Sequence, residues 1–195
     1  MNVDFDALYQ RPDPFGYATR WYERRKRDLL AAMLPRPTFQ RAWELGCSTG
    51  ALTRLLAPRC GRILGTDVSP NAIHQAIAAG VPANVAFECS VQPRQWPTGR
   101  FDLIVFSEVG YYLDLDTLQM VARRMADSLD RDAAGGLVAC HWRPDFDERL
   151  LPTDTVHRVL ADALGGVATH SYADQDMRLE GWWPGPSIAA REGLA

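Results

Sequence analysis

An acid and two glycines stand where a predicted strand gives way to a helix. The segment AWELGCSTGALTRLLA places Glu44, Gly46 and Gly50 between a hydrophobic run and an amphipathic one. The first glycine lets the chain turn sharply off the strand, and the second lets the backbone approach a ligand closely. The next predicted strand ends in Asp67, and an acid at that place accepts hydrogen bonds from ribose hydroxyls. Turn and acid together predict a site for a nucleoside-containing cofactor.

The residues of the turn narrow the choice of cofactor. A dinucleotide fingerprint would need glycines where Ser48 and Ala51 stand, and no Gly-Lys-Ser/Thr follows to make a phosphate-binding loop. The Glu44 carboxylate suits an ammonium group and repels a pyrophosphate. An adenosine cofactor that lacks phosphates and carries a cationic aminoacyl arm remains. The alternative is that Gly46 and Gly50 only serve a tight connection between strand and helix.

Two side chains at predicted strand ends are candidates for acid–base chemistry. His141 ends the run LVACHW, and its ordinary imidazole pKa of about 6.5 suits proton transfer near neutral pH. Glu108 ends the run FDLIVFSE and is the rival base, since acids at strand ends point into the ligand crevice. The alternatives are a packed loop start for His141 and a helix cap or loop salt bridge for Glu108.

Strands that alternate with helices must position these residues. Short apolar runs and helical patterns follow each other from RAWELG to TDTVHRVLADAL, which predicts βαβ units and a parallel sheet. The runs LIVF and LVAC suit central strands covered on both faces. We therefore expect one doubly wound, Rossmann-like α/β domain over residues 18–195, mostly parallel with a C-terminal antiparallel strand and with helices on both faces. Residues 1–17 are expected to form a mobile N-terminal segment.

Composition excludes several classes of protein. The chain has 195 residues and a formal net charge of -3, which argues against general binding of nucleic acid or membrane surfaces. The basic run RWYERRKR is expected to be the solvated face of a helix. The four cysteines form no CxxC pair and the histidines have no metal-ligand spacing, so we expect no metal and reduced thiols. No long apolar run or signal peptide is present, which favours a cytoplasmic protein.

Three segments carry a resemblance to a known family. ELGCSTG, ILGTDVSP and FDLIVFSEVGYYL resemble motifs of the class I S-adenosylmethionine (SAM)-dependent methyltransferases. More narrowly, Asp13-Pro14, YERR, LAPRC and SEVGYYL are similar to the NodS-like nodulation methyltransferases, which N-methylate the amino sugar end of a deacetylated chitooligosaccharide. The resemblance covers roughly residues 13–142. It implies the class I methyltransferase fold.

The resemblance also implies SAM as the cofactor, S-adenosylhomocysteine (SAH) as the product and a set of cofactor contacts. Asp67 would bind the ribose, Val68 would pack on the adenine, and Tyr22 would act as a lid. The family often has an acid after the third strand, where this chain has Val91, so Ser90 or Gln92 is expected to substitute. The implied cofactor-binding residues are Tyr22, Glu44, Gly46, Cys47, Gly50, Asp67, Val68, Ser90, Val91 and Ser107.

The implied reaction is an in-line displacement in which the attacking amine must first lose a proton. His141 or Glu108 would take that proton, and the role of His141 rests on its position alone. Tyr111, Tyr112 and Trp142 are expected to contact the acceptor. We expect a methyltransferase acting on a small-molecule amine or amino sugar, as a monomer or homodimer. An O-methyltransferase and a non-catalytic SAM-binding protein are the alternatives.

Overall fold

The computed structural model of the protein describes residues 3–195, and Met1 and Asn2 lie outside the described residues. The strands are β1 (Phe39–Leu45), β2 (Cys60–Asp67), β3 (Val85–Cys89), β4 (Leu103–Ser107), β5 (Gly136–Trp142), β6 (His170–Ala173) and β7 (Met177–Trp182). The α-helices are α1 (Phe5–Leu8), α2 (Trp21–Met33), α3 (Ala51–Leu56), α4 (Pro70–Ala78), α5 (Leu115–Ser128), α6 (Thr153–Leu164) and α7 (Ile188–Arg191). Short 3-10 turns cover Ala57–Arg59 and Gly110–Tyr112.

The seven strands form one sheet in the order β3-β2-β1-β4-β5-β7-β6. Strands β1 to β5 are parallel, β7 is antiparallel to β5, and β6 is antiparallel to β7. The predicted doubly wound α/β fold, with its antiparallel C-terminal end, is confirmed. The strand order reverses between β1 and β4, and in such sheets ligands bind beyond the carboxyl ends at that point. No helix within residues 3–195 is both long enough and apolar enough to cross a membrane.

Both faces of the central strands are covered, which explains the apolar run LIVF. Leu103 and Val105 of β4 face a cluster that includes α2 and α3, whereas Ile104 and Phe106 face a second cluster with α5 and α6. All four side chains have 0% exposure. Alternation along a strand therefore sends successive apolar side chains into two separate cores.

Helix α5 shows how the sequence encodes one of these faces. Leu118, Val121, Ala122 and Met125 recur at spacings of three and four and are all buried. Asp114 precedes the helix and its carboxylate accepts a hydrogen bond from the Thr117 amide at 2.8 Å. The helix thus begins at a capping acid and covers the strands that carry the candidate site.

The N-terminal segment differs from expectation. The sequence predicts a mobile segment, whereas the structure packs residues 3–17 onto the domain. Asp6 accepts hydrogen bonds from the Ser69 hydroxyl at 2.8 Å and the Asn71 amide at 3.0 Å, both at the start of α4. The Gln75 side chain donates to the Tyr9 carbonyl at 2.6 Å. These partners lie more than 60 residues away in the chain, so no local pattern reveals them.

Candidate functional site

The turn after β1 is held to the end of β2. The amides of Gly46 and Cys47 both donate to the Thr66 carbonyl, at 2.8 and 2.9 Å. Gly46 and Ser48 have φ angles of 79° and 52°, in the left-handed region that side chains disfavour. A non-glycine residue in that region is strained, and such strain gathers at ligand sites. The turn therefore has a fixed shape with its backbone facing the end of the sheet.

The two glycines are needed for different reasons. A Cβ on Gly46 would lie 2.2 Å from Cγ2 of Val109, and Gly46 lines the pocket described below. A Cβ on Gly50 would lie 2.5 Å from Cζ of Phe87, and Gly50 does not line the pocket. Gly50 instead precedes α3 with a φ of 74°. Gly50 therefore lies outside the pocket lining, and the close approach of Phe87 explains why a glycine is needed there.

A Gly46→Ala variant is expected to lose about 1–3 kcal/mol of unfolding free energy, from backbone strain plus the clash with Val109. Gly185→Ala is the matched control, since Gly185 has a φ of 94° but nothing within 4 Å of an added Cβ. Urea unfolding should show the smaller loss for the control, which carries the strain alone. Equal losses would mean that Val109 moves aside and that the close approach is not a constraint.

A pocket lies at the carboxyl ends of β1, β2 and β4, where the strand order reverses. Nine of the residues expected at the cofactor, acceptor or base position line it, namely Glu44, Gly46, Cys47, Asp67, Val68, Ser107, Glu108, Tyr111 and Tyr112. Six others do not, namely Tyr22, Gly50, Ser90, Val91, His141 and Trp142. The sequence thus locates the sheet-end half of the pocket.

Asp67 joins the turn to the end of β2. Its carboxylate accepts hydrogen bonds from the Ser48 amide at 2.8 Å and from the Ser69 amide at 3.0 Å. Burial raises the pKa of this carboxyl, and the same backbone bonds oppose the rise. A carboxylate has capacity for about four hydrogen bonds, so Asp67 can accept further donors from a ligand in the pocket.

Glu44 is 3% exposed at the end of β1, and the Thr53 hydroxyl donates a hydrogen bond to it. The pKa of the Glu44 carboxyl is raised to about 8, mainly by burial. The hydrogen bond from Thr53 opposes this rise, and the charge of Asp67 adds to it. Near neutral pH the free protein therefore holds a proton on Glu44. An ammonium group placed beside it would favour the charged carboxylate and displace that proton.

We expect SAH binding to release a proton from Glu44 near pH 7 and to strengthen as the pH rises toward about 8, by up to about tenfold per pH unit. The direction follows because the raised pKa of Glu44 keeps the free protein protonated below that value. Calorimetric titrations in buffers with different ionisation enthalpies measure the released proton. In Glu44→Gln the proton release should vanish, and its persistence would assign the proton to another group.

Val68 and Gln92, which are expected to lie beside the adenine, both line the pocket. The Gln92 amide donates to the Ser90 hydroxyl at 2.8 Å, so Ser90 orients the amide and does not itself reach the pocket. Val91 is 41% exposed and lies outside the lining. Ser90 and Val91 therefore lie outside the pocket lining. Of the two residues expected to substitute for the missing acid, Ser90 and Gln92, only Gln92 lines the pocket.

Glu108 is aimed into the pocket by an uncommon backbone conformation. Its φ is 60°, and its amide donates to the Cys140 carbonyl at 2.9 Å. The Tyr111 hydroxyl donates to Oε2 of Glu108, while Oε1 is buried without a hydrogen-bond partner within residues 3–195. Tyr111 thus holds one carboxylate oxygen of Glu108, a residue that lines the pocket.

Three charged residues of α2 line the pocket near Glu108, namely Glu23, Lys26 and Arg27. The sequence instead suggests that this run is the solvated face of a helix. Lys26 is 5% exposed, and its Nζ lies 2.9 Å from Oε2 of Glu23 and 3.5 Å from Oε1 of Glu108. Burial alone would lower the pKa of the Lys26 ammonium, but these two carboxylates raise it, so the ammonium stays charged. Nη1 of Arg27 is buried without a hydrogen-bond partner in the described chain, and Arg27 is one of the residues that line the pocket.

Three of the six residues outside the pocket are involved in other packing. His141 has 0% exposure, with Nε2 accepting from the Gly110 amide and Nδ1 facing His157, so no ring nitrogen is available to an acceptor. Tyr22 and Trp142 pack edge to face, with ring centroids 4.9 Å apart. The role expected for His141 as a base is therefore corrected. Tyr22 and Trp142 lie outside the pocket lining, and their roles as a cofactor lid and an acceptor contact stay predictions.

Aromatic residues of the N-terminal segment form the remaining wall, which the sequence does not indicate. Tyr9 donates its hydroxyl to Oγ of Ser48 at 2.6 Å, and the Phe5 ring packs edge to face on Tyr112 at 4.9 Å. Phe15 and Tyr17 also line the pocket. The pocket is thus a polar sheet end opposed by an aromatic wall.

Comparison with protein families identifies the chain. The family model of Nodulation protein S (NodS) matches residues 6–135. The chain belongs to the NodS family. The resemblance indicated by the motifs is therefore confirmed, and the matched range contains the turn, Asp67 and Glu108.

This family member has relatives among curated proteins and solved structures. It is 34% identical to nodulation protein S of Bradyrhizobium diazoefficiens over 124 residues, which are 62% of this chain and 59% of that protein. The chain thus spans about three fifths of that relative, and 52% of nodulation protein S of Rhizobium tropici. The crystal structure of a candidate methyltransferase from Pseudomonas syringae is 40% identical with a TM-score of 0.71, over 85% of this chain and 100% of that chain. The crystal structure of the N-methyltransferase NodS from Bradyrhizobium japonicum WM9 is 26% identical with a TM-score of 0.70. The match covers 87% of this chain and 99% of that chain.

Proposed function

We propose that the protein is a SAM-dependent methyltransferase that transfers a methyl group to the nitrogen of a small-molecule amine or amino sugar. The observation that carries this proposal is the Glu108 carboxylate, which a left-handed backbone directs into a pocket beside the Gly46 turn and Asp67. Membership of the NodS family supports the same reaction.

The polar groups of the pocket fit the parts of SAM. Asp67 has hydrogen-bonding capacity for the ribose hydroxyls, and Val68 with Gln92 forms an apolar and amide surface for the adenine. The unpartnered Nη1 of Arg27 suits the carboxylate of the aminoacyl arm, and Glu44 suits its ammonium group. When bound, SAM would supply a methyl group activated on a sulfonium.

The carboxylate of Glu108 favours an amine as the acceptor. Its Oε1 is buried without a hydrogen-bond partner within residues 3–195 and lies 3.5 Å from Nζ of Lys26. A protonated amine beside Glu108 would be stabilised by the negative charge of this carboxylate. Glu108 then accepts the proton and leaves a nitrogen lone pair free to attack. Tyr111 holds the other oxygen and so fixes the direction in which the proton moves.

The test is an activity assay of the full chain with SAM and a deacetylated chitooligosaccharide. We expect SAH to form and the oligosaccharide to gain one methyl group, while the fully N-acetylated oligosaccharide stays unmodified. Methylation of both sugars would favour the O-methyltransferase. SAH binding without turnover on amine or hydroxyl acceptors would favour the non-catalytic SAM-binding protein.

We further propose that residues 18–195 form one SAM-binding domain and that the protein acts in the cytoplasm as a monomer or homodimer. The four cysteines are free thiols, as expected in a reducing compartment. Light scattering of the purified protein would measure the number of subunits. We expect a small-molecule acceptor and no nucleic-acid partner, consistent with the net charge of -3.

A further inference from the structure

A buried chain of hydrogen bonds runs from the turn behind Glu108 to the edge of the sheet. The Gly110 amide donates to Nε2 of His141 at 3.1 Å, and Nδ1 of His141 lies 3.1 Å from Nε2 of His157. Nδ1 of His157 lies 2.8 Å from Oε2 of Glu180. Both imidazoles have 0% exposure, so bulk water does not reach their ring nitrogens.

The Gly110–His141 bond fixes the direction of the other hydrogen bonds in this series. A backbone amide can only donate, so Nε2 of His141 carries no proton and its single proton is on Nδ1. His141 therefore donates to Nε2 of His157, whose own proton must be on Nδ1. His157 then donates to the Glu180 carboxylate, which accepts. Both rings are neutral in this arrangement, and burial, which lowers the pKa of each, agrees with it.

The charged groups around the chain lie at its two ends. Arg178 of β7 donates to the second oxygen of Glu180 at 2.8 Å and to Asp154 of α6 at 2.9 Å. Lys26 of α2 and Arg149 of the loop before α6 disfavour a proton on His141. The side chains of Phe106 and Tyr111 pack edge to face on His141, and Trp182 lies beside His157. A proton taken up by the chain is therefore best accommodated on His157, next to Glu180.

We propose that His141, His157 and Glu180 are positioning residues that hold the turn Gly110–Tyr112, and through it Glu108 and Tyr111, in the geometry that binds the acceptor. The inference rests on the proposed role of Glu108. A protonated His157 must donate from both nitrogens, so His141 must present a bare Nδ1 and carry its proton on Nε2. That proton faces the Gly110 amide, two donors oppose each other, and the bond to the turn breaks.

The consequence is a selective loss on acidification. The cofactor contacts on β1 and β2 do not depend on the hydrogen bonds between His141, His157 and Glu180. The turn that carries Tyr111 does depend on them. Acceptor KM should rise as the pH falls through the titration of His157, while SAH affinity changes through the carboxyls on the cofactor side, Glu44 and Asp67. The two effects differ in the ligand they concern and are measured separately.

The first experiment determines the tautomers of the two rings in the full-length protein by long-range ¹H–¹⁵N correlation. We expect His141 and His157 both to be neutral with the proton on Nδ1. A proton on Nε2 of either ring near neutral pH would overturn the assignment. The Gly110 amide should shift together with His157 when the pH is lowered, and an independent titration of the two would also overturn it. These signals need no substrate, so they decide the inference even if no acceptor is found.

The second experiment uses Glu180→Gln, which keeps an acceptor for His157 but removes the charge that stabilises its protonated form. The acid limb of the acceptor KM profile should move about one pH unit lower, because a neighbouring carboxylate shifts a pKa by about that much or more. Glu192→Gln, at an exposed site near α7, is the control and should leave the profile unchanged. An unmoved acid limb in Glu180→Gln, with SAH affinity retained, would refute the positioning role and leave the methyltransferase proposal intact.

Discussion

Replacing Asp67 with alanine is expected to lower SAH affinity by about 100-fold or more. The carboxylate would lose two charge-assisted hydrogen bonds to the ribose, each worth about 1.5–3 kcal/mol. The variant also leaves the amides of Ser48 and Ser69 without their acceptor, so the turn itself is loosened. Both losses act in the same direction, and calorimetric titration with SAH measures their sum.

Two comparisons separate the ribose contact from the loosened turn. Asp67→Asn keeps one acceptor oxygen and the side-chain size, so it should lose less affinity than the alanine variant. Glu88→Ala, on the exposed side of the neighbouring β3, is the control and should bind SAH like the unmodified protein. If Asp67→Ala binds SAH with an affinity within about threefold of the unmodified protein, Asp67 does not bind the ribose.

Glu108→Gln is expected to lower kcat for amine methylation by about 100-fold or more, the range of a lost general base. Glutamine keeps the size of the side chain and can still accept from the Tyr111 hydroxyl, so the turn should stay in place. SAH affinity should change little, because the proposed role of Glu108 concerns the acceptor and not the cofactor. Steady-state kinetics together with SAH titration measure the two quantities.

The control for Glu108 is Glu148→Gln, an exposed carboxylate in the loop before α6. It removes the same charge at a site outside the pocket and should leave kcat unaltered. Comparing kcat of the two variants shows whether the position of the carboxylate matters, because a general loss of negative charge would lower kcat equally in both. If Glu108→Gln retains its kcat while its acceptor KM rises, Glu108 binds the ammonium group and does not take its proton.

The sequence predicts the sheet-end half of the site because its determinants are local. Gly46 has a positive φ and lies so close to Val109 that a side chain would clash, and Asp67 ends the next strand. Both positions can therefore be recognised from short segments of sequence. Gly50 is required for a different reason than expected, because its neighbour Phe87 is brought there by the pairing of β2 with β3. A local pattern can therefore indicate that a glycine is needed without revealing what approaches it.

The other half depends on contacts between distant segments. His141 lies on β5, which is buried on both faces, so the apolar run LVAC gives no sign of which face receives the histidine. Tyr9 contacts Ser48 across 39 residues, and its short segment has no periodicity to interpret. Lys26 and Glu23 read as a solvated helix face because their burial is decided by where α2 packs. Charge spacing on a helix does not contain that information.

The distribution of thiols makes ligand binding directly observable. Cys47, Cys60 and Cys140 are buried, whereas Cys89 is exposed at the end of β3, where its sulfur lies 3.6 Å from the Val68 carbonyl. A thiol-reactive fluorophore would therefore attach at one native position beside Val68, which lines the pocket. The dye would report the arrival of a ligand by a change in emission, so stopped-flow experiments could time binding in the unaltered sequence.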